Sequence, residues 1–170
     1  MAFEFAVRSM LPTDAGRLKE IAALSFSKFM GFFAVHSLFS EEGQVIISEA
    51  QGTAVGFAKL IDFQIEGCKF GCILWIAVHP DFRRKGVASA LTTEGLLRLK
   101  NNGAKAVFAS TQRRNIVAQN LLLQKGFRKM SFIDFWRIFK GRVFEFYADI
   151  WLAPGEVVLM IDYSPKTAAK

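Results

Sequence analysis

A basic turn that follows an apolar strand is the part of this chain best suited to binding an anion. Residues 74–78 are apolar without a break, which is typical of a strand buried on both faces. Pro80 cannot donate a hydrogen bond to a sheet, so the strand ends before it. Residues 83–85 are all cationic, and after Gly86 the pattern becomes helical. Backbone N–H groups, a helix dipole and three cations would then face one point, which suits a phosphate.

Three phosphate-binding signatures can be compared with this turn. The sequence has no G-x-x-x-x-G-K segment followed by Ser or Thr, and so lacks a P-loop. A dinucleotide-binding G-x-G-x-x-G needs three glycines, whereas the turn has only Gly86. What fits is Gln or Arg, two residues, Gly, one residue, then Gly or Ala. The matching stretch is Arg83-Arg84-Lys85-Gly86-Val87-Ala88.

A second segment, residues 115–127, matches N-x-x-A-x-x-L-Y-x-x-x-G-F except at the tyrosine. The matching residues are Asn115, Ala118, Leu121, Gly126 and Phe127. With the strand and the basic turn, this segment resembles the GNAT superfamily of N-acetyltransferases over about residues 74–127. The resemblance implies an acyl transferase that moves an acetyl group from acetyl-CoA to a primary amine by direct attack on the thioester.

The resemblance also implies where coenzyme A would bind. The pyrophosphate would lie on backbone N–H groups of the basic turn, and the pantetheine arm would run along the end of the preceding strand. The N–H group of Val78 would face the thioester oxygen as an oxyanion donor. Asn115 would contact the pantetheine or only cap the helix that follows it. The implied cofactor-binding residues are Ile76, Ala77, Val78, Arg83, Arg84, Lys85, Gly86, Val87, Ala88, Ser89 and Asn115.

The catalytic groups are harder to place, because the sequence departs from the family at two positions. Leu122 stands where the family often has a tyrosine as general acid. Residues 71–75, where many members place a glutamate, contain no carboxylate. We predict Glu66 as a base and Tyr147 as the acid, with packing of Tyr147 in an aromatic cluster as the alternative. The other candidate bases are Asp62, His36, His79 and Asp134.

The acceptor amine belongs to a protein N-terminus, a lysine or a small molecule. Neutralising a lysine amine at pH 7 costs roughly 4.6 kcal/mol, whereas an α-amine costs about 1.4 kcal/mol. The lack of an obvious base therefore favours a peptide N-terminus. Residues 76–78 before the His-Pro turn, and the segment around Tyr147, are similar to the ribosomal-protein and N-terminal acetyltransferase branch. The alternative function is a catalytically impaired, regulatory coenzyme A-binding module.

Composition limits the other partners. The net charge of +7 permits anionic ligands, but the cations are dispersed except at residues 83–85 and 113–114, which disfavours a nucleic-acid binder. No apolar run approaches the ~18 residues of a membrane span, and the first residues lack a signal-peptide pattern. Cys68 and Cys72, on one strand, would be ~13 Å apart and could not bridge. We predict a cytoplasmic protein with reduced thiols, no metal, no nucleic acid and no membrane partner.

The elements that position these residues predict an α+β (mixed α/β) fold. We expect one GNAT-like domain over residues 1–163, with a central twisted, mostly antiparallel sheet of about seven strands flanked by about four helices. Residues 164–170 are expected to be a disordered tail. Predicted strands cover residues 3–7, 45–48, 53–65, 68–78, 106–109, 127–136 and 157–163. Predicted helices cover residues 13–27, 28–39, 86–100 and 116–124.

Two aromatic segments leave alternatives open. Residues 28–39 are too apolar for a solvated helix, so we expect core packing, with the wall of a substrate groove as the alternative. Residues 137–151 could form a homodimer contact, a substrate lid or part of the core.

Overall fold

The computed structural model describes residues 3–164 and confirms the mixed α+β fold. The strands are Ala6–Ser9 (β1), Gln44–Ala50 (β2), Thr53–Ile65 (β3), Cys68–Val78 (β4), Ala106–Gln112 (β5), Arg128–Lys129 (β6) and Glu156–Asp162 (β7). The helices are Ala15–Ser25 (α1), Lys28–Leu38 (α2), Val87–Asn101 (α3), Ile116–Gln124 (α4), Phe132–Phe139 (α5) and Val143–Asp149 (α6). The strands form one sheet in the order β1-β2-β3-β4-β5-β7-β6. Apart from Ser164, the expected disordered tail lies outside the described residues.

Two tight turns define the central strands. β2 pairs antiparallel with β3 across Gln51 and Gly52, whose φ angles are 50° and 73°. Glu66 and Gly67, between β3 and β4, have φ angles of 51° and 71°. Two consecutive positive φ angles are typical of the two-residue hairpin turn that matches the natural twist of a sheet. Because these turns have clear sequence signals, the predicted bounds of β3 and β4 are confirmed.

The chain forms two compact units, each with its own core. The first comprises the chain through Ile61 together with Ile73–Leu96, and the second comprises Asp62–Cys72 together with the chain from Leu97 onward. In the first unit, one face of α1 packs on strands β2 to β4. This core includes Leu18, Ile21, Ala22, Leu38, Ile47, Ala54, Phe57 and Ala77. The expectation of one domain over residues 1–163 stays a prediction.

Phenylalanine rings build the core of the second unit. Phe139 and Phe146 stack with their ring centroids 4.3 Å apart, and both contact Phe108 on β5. Phe70 packs edge-on against Phe108 and Phe139 at 5.9 Å and 5.4 Å. Each ring removes a large apolar area from water, so this cluster anchors α5 and α6 to their unit.

The prediction of a strand over residues 127–136 is wrong for most of its length. Only Arg128–Lys129 pairs, with β7, and a helix begins after Ser131. The Ser131 hydroxyl accepts from the N–H of Asp134, whose carboxylate accepts from the N–H of Ser131 at 2.8 Å. This reciprocal cap stabilises a helix start and outweighs the β preference of the aromatic residues. Two helices therefore occupy residues 132–149, which raises the helix number above the expected four.

Candidate functional site

The end of β4 has a defined hydrogen-bonding direction. The N–H group of His79 donates to the carbonyl oxygen of Val55 on β3 at 2.9 Å. N–H groups alternate between the two edges of an extended strand, so those of Ile76 and Val78 point away from β3. The N–H group of Val78 therefore points to the edge of β4 opposite β3, which is the edge next to β5 in the strand order. Its assignment as the oxyanion donor stays a prediction.

A short 3-10 turn and two residues with positive φ angles connect β4 to α3. A short 3-10 turn, Pro80–Phe82, is capped by the Nδ1 atom of His79, which accepts from the N–H of Asp81 at 3.4 Å. Arg84 and Gly86 then adopt positive φ angles of 62° and 85°. No atom lies within 4 Å of the position that a Gly86 side chain would take. Gly86 is therefore required by its backbone conformation and leaves open space beside the turn.

Several backbone N–H groups of the turn have no acceptor within the described part of the chain. The first cross-turn bond at the start of α3 runs from the N–H of Ala90 to the carbonyl oxygen of Gly86 at 3.0 Å. The N–H groups of residues 84–89 make no such bond among residues 3–164. Free N–H groups at the start of a helix bind anions, because the helix dipole places positive charge there. These N–H groups are therefore available to an anion, and their role in binding the pyrophosphate of coenzyme A stays a prediction.

The three cations of the turn differ in their surroundings. Arg83 donates from Nε to the carbonyl oxygen of Val78 at 3.0 Å, and from its terminal nitrogen to the Ser25 hydroxyl at 3.3 Å. Lys85 Nζ lies 5.0 Å and 5.1 Å from the ring centres of Phe3 and Phe82. Arg84 is exposed and has no partner among the described residues. Arg83 thus holds the strand end, and Arg84 is the cation free to pair with an anion.

A groove opens beside the end of β4 in the same compact unit. The Ser25 hydroxyl, at the end of α1, lies 3.4 Å from the carbonyl oxygen of Val78. The next residue, Phe26, packs edge-on against Trp75 of β4 at 5.3 Å and lines the groove. The groove has a volume of about 500 Å³ and is lined by Ala23, Phe26, Ser27, Lys28, Gly31, Phe32, Val35 and His36. Sequence reasoning missed Ser25, because its partner Val78 is 53 residues away.

The α2 helix forms one wall of this groove, and the expectation that its phenylalanines fill the core is wrong. Phe29 and Phe32 are 71% and 68% exposed, and the smaller residues Ala34 and Leu38 are buried in their place. Gly31 is also buried, and a methyl group added to it would lie 3.9 Å from the Phe26 side chain and 4.0 Å from the carbonyl oxygen of Ala22. The alternative interpretation, that this helix forms the wall of a groove, holds for Phe32, whose side chain lines the groove.

The segment that matches the second family motif forms α4. The Asn115 side chain accepts from the N–H of Ala118 at 3.2 Å, so the capping role is observed, and a pantetheine contact stays a prediction. Leu122 is 4% exposed and packs in the core of the second unit. An apolar buried side chain at this position cannot donate a proton.

Glu66 and Tyr147 both belong to the second compact unit. Glu66 stands in the exposed turn between β3 and β4, and its carboxylate lies 3.6 Å from Nε of Arg142. Tyr147 is half-buried on α6 rather than in a loop, with its ring 5.5 Å from Phe135 and 5.8 Å from Phe146. The ring of Tyr147 thus packs in an aromatic cluster, as the alternative interpretation expects. The catalytic roles of both residues stay predictions.

Three of the other candidate bases have local partners. Asp62 accepts from Asn102 Nδ2 at 3.3 Å and pairs with Lys69 at 3.7 Å. Asp134 caps α5, and its hydrogen bonds with Ser131 and Arg128 lower its pKa to about 2. His79 is buried, caps the 3-10 turn and lies 3.8 Å from Glu20 on α1. Of the five candidate bases, only His36 lines the groove.

The thiols show no sign of a metal role. Cys68 and Cys72 both lie on β4 and are unpaired, and burial raises the pKa of the Cys72 thiol. Over residues 3–164, no group of three or more His, Cys, Asp and Glu side chains is arranged to hold a metal ion.

None of the helices described is both long and apolar enough to cross a membrane.

Residues 17–127 match the model of the acetyltransferase (GNAT) family, which covers more than half of the chain and includes α1, the groove and the basic turn. The chain belongs to the GNAT acetyltransferase family. A comparison with curated proteins finds no match. The family assignment therefore rests on the family model and on the fold.

Solved structures of GNAT acetyltransferases share the fold of this GNAT chain. The ribosomal-protein-S18-alanine N-acetyltransferase from Escherichia coli superposes with a TM-score of 0.67 at 17% identity, covering 98% of this chain and 99% of that one. The PaiA N-acetyltransferase from Thermoplasma acidophilum, solved with coenzyme A, gives 0.66 at 14% identity, with 94% and 99% covered. A GNAT acetyltransferase from Brucella melitensis, solved with acetyl-CoA, gives 0.55 at 17% identity, with 74% and 84% covered.

Proposed function

We propose that this chain transfers an acetyl group from acetyl-CoA to the α-amine of a peptide or protein. The observation that carries the proposal is the cradle of N–H groups at residues 84–89, which follows the end of β4. Family membership supports acetyl transfer in general terms. The acceptor and the catalytic groups are the parts of the proposal that experiment must establish.

The donor half of the reaction uses the backbone more than side chains. Bound acetyl-CoA would supply an activated acyl group, and its pyrophosphate fits the N–H groups of residues 84–89. Arg84 adds a positive charge there, and Gly86 allows the chain to approach the phosphates closely. The N–H group of Val78 would donate to the oxyanion that forms when an amine attacks the thioester.

The groove beside β4 is the proposed acceptor site. Its lining is mainly apolar and contains two ionisable side chains within the described residues, Lys28 and His36. Among residues 3–164, no carboxylate lines it. An α-amine needs only about 1.4 kcal/mol to become neutral at pH 7, compared with roughly 4.6 kcal/mol for lysine, so a groove without a carboxylate favours an α-amine. The E. coli structure of similar fold is named for acetylating an alanine of a ribosomal protein, which supports the same acceptor class.

The leaving group needs little help. A thiol with a pKa near ~8.5 is about 1.5 units above pH 7, so release of the free thiolate is uphill by only ~2 kcal/mol. Leu122 therefore does not exclude catalysis, even though it cannot serve as the acid. Tyr147 stays the predicted acid, and its replacement by phenylalanine tests that role without removing the ring from its cluster.

A paired-peptide assay tests the acceptor. Release of the coenzyme A thiol is measured with two peptides that share one sequence, the first with a free N-terminus and a blocked lysine, the second with a blocked N-terminus and a free lysine. We expect the first peptide to react at least about tenfold faster at pH 7, because more of its amine is neutral. A faster reaction with the lysine peptide would contradict the proposed acceptor class and leave acetyl transfer intact.

The same assay separates the enzyme from a coenzyme A-binding module. An impaired module would bind coenzyme A in a calorimetric titration but release no thiol above background with any amine. That combination would overturn the proposed activity while leaving the cofactor site standing.

A further inference from the structure

The outer face of α5 exposes a group of apolar side chains that the transfer reaction does not use. Phe132, Ile133 and Trp136 are 68%, 61% and 57% exposed and line a shallow depression of about 350 Å³. We call these three residues the α5 face. Large apolar side chains that are exposed side by side are candidates for an interaction site.

Buried residues on the opposite side of the helix anchor the α5 face. Phe135 and Phe139, on the opposite side of the helix, are 6% and 2% exposed and pack against Phe146 at 5.4 Å and 4.3 Å. The reciprocal cap between Ser131 and Asp134 fixes the first turn of the helix. The exposed side chains therefore belong to an anchored amphipathic helix and are presented outward as a unit.

Cations border the α5 face without acidic partners. Arg137 follows Ile133 by four residues on α5 and so continues a row of the face at its C-terminal end, and Lys140 comes directly after the last residue of the helix. Lys129 is exposed just before the helix. None of these three cations has an acidic partner within residues 3–164, whereas the nearby acidic residue Asp134 is already bonded to Ser131 and Arg128. The apolar face is thus edged by free positive charge.

We propose that the α5 face docks this chain onto an anionic lipid surface. A helix with Trp and Phe on one face and Lys or Arg beside it binds at the boundary between headgroups and acyl chains. The cations attract anionic headgroups, and the tryptophan ring suits the interfacial region. This inference concerns peripheral binding, does not depend on acetyl transfer, and runs against the sequence-based expectation of no membrane partner.

Charge argues against a second copy of the chain as the occupant. In a two-fold symmetric dimer the same surface patch meets itself, so the unpaired cations at its border would face one another. Like charges brought together at an interface disfavour that contact. An anionic surface, by contrast, is complementary to every free cation at the border.

The α2 helix provides a matched comparison. Phe32 is 68% exposed, as is Phe132, and both lie on helices. Phe32 lines the groove together with Lys28 and His36 and does not belong to the α5 face. Phe32→Ser therefore removes an equally exposed ring from a different surface, which makes it the control for Phe132→Ser.

Vesicle co-sedimentation tests the proposal. The full chain is mixed with vesicles of phosphatidylcholine alone or of phosphatidylcholine with phosphatidylglycerol, at low and at high salt. We expect binding to the anionic vesicles only, with release by salt. Phe132→Ser and Trp136→Ser should each weaken this binding about tenfold, since interfacial affinity scales with the apolar area that is buried. Phe32→Ser should leave it unchanged, and unchanged thermal melting shows that each variant is folded.

Three results would overturn the proposal. The first is no binding to anionic vesicles by the folded wild-type chain. The second is equal loss of binding in Phe32→Ser and Phe132→Ser, which would remove the role of the α5 face. The third is a wild-type dimer in sedimentation velocity that Phe132→Ser converts to a monomer, without vesicle binding, which would assign the face to self-association.

Discussion

At the residue scale, the three cations of the basic turn look alike in the sequence but have different contacts in the structure. Arg83 donates to the carbonyl oxygen of Val78 and to Ser25, and Lys85 lies over two aromatic rings. Arg84 has no partner among the described residues, which leaves it free for the proposed contact with the pyrophosphate. A cation that is already used within the protein stabilises the protein, whereas a free one is available to the ligand.

This division predicts different effects for two alanine substitutions. Arg84→Ala should weaken coenzyme A binding about fivefold, the effect of losing one exposed ion pair, and leave thermal melting unchanged. Arg83→Ala should lower the melting temperature, because the carbonyl oxygen of Val78 loses the closer of its two donors and keeps only the Ser25 hydroxyl at 3.4 Å. Titration calorimetry and thermal melting measure the two effects. Equal loss of affinity with unchanged melting in both variants would show that the two cations are equivalent.

A second residue-scale prediction concerns Asp14, which follows β1 and is 9% exposed. Arg8 donates to both of its carboxylate oxygens, at 2.7 Å and 3.0 Å, and this lowers the pKa of Asp14. A carboxylate whose pKa is lowered on folding adds stability above its unfolded pKa of ~3.9, and this stability is lost as the pH falls through the folded value. Asp14→Asn should therefore cost about 1–2 kcal/mol near pH 7.

Thermal melting between pH 7 and pH 3 checks the sign of this effect. The difference in melting temperature between wild type and Asp14→Asn should stay constant down to about pH 5 and shrink below about pH 4. A difference that grows in acid would contradict the assignment of the stability to the ionised carboxylate.

Sequence patterns predicted the residues of the turn but could not assign their individual roles. Local spacing identified residues 83–89 and Asn115, because the backbone of a strand, turn and helix follows from neighbouring residues. Ser25, the partner of Arg83, is 58 residues away, and no local signal marks it. The groove was foreseen only as an alternative, since exposure of Phe32 depends on contacts that spacing does not encode.

At the element scale, β3 and α3 set the position of the basic turn. A methyl group added to Gly56 on β3 would lie 3.0 Å from the carbonyl oxygen of Ala77 and 3.0 Å from the Val87 side chain at the start of α3. Gly56 therefore lets the first turn of α3 lie close against the sheet, where its N–H groups follow the end of β4.

Gly56→Ala should displace the start of α3. We expect lower thermal stability, by roughly 1–3 kcal/mol for an overpacked core position, and weaker coenzyme A binding as the N–H groups shift. Gly16→Ala serves as the control, because no atom lies within 4 Å of its added methyl group. If Gly56→Ala is clearly destabilised but binds coenzyme A with unchanged affinity, the position of α3 does not determine cofactor binding.

Elements with clear end signals were predictable, and one element without them was not. The bounds of β3, β4 and α4 match the sequence prediction, because tight turns and the Asn115 cap mark their ends. The α5 helix was missed because its aromatic residues are also β-prone. The Ser131 and Asp134 cap, three residues apart, is the signal that could have identified it.

At the scale of the whole molecule, the features of the proposed reaction and the α5 face belong to different compact units. The first unit contains the end of β4, the basic turn and the groove, and the second contains α4, α5 and the phenylalanine core. Sequence predicted the fold class and the family, since both follow from element order and local motifs. Which side of α5 faces outward depends on which of its residues pack against Phe146, and the structure shows that these are Phe135 and Phe139.

Acetyl transfer itself is tested most directly by counting its two products. The full chain is incubated with acetyl-CoA and a peptide that has a free α-amine, and the free thiol and the acetylated peptide are measured together. The matched variants Gly86→Asp and Gly86→Asn impose similar backbone strain at this positive φ angle, which both residues adopt more readily than most others, but they differ in charge.

We predict equal amounts of thiol and acetylated peptide with the wild-type chain. Gly86→Asp should react at least about tenfold more slowly than Gly86→Asn, because its carboxylate repels the pyrophosphate in the N–H cradle. No acetylated peptide above the level formed without the protein, or equal rates in the two variants, would contradict the account.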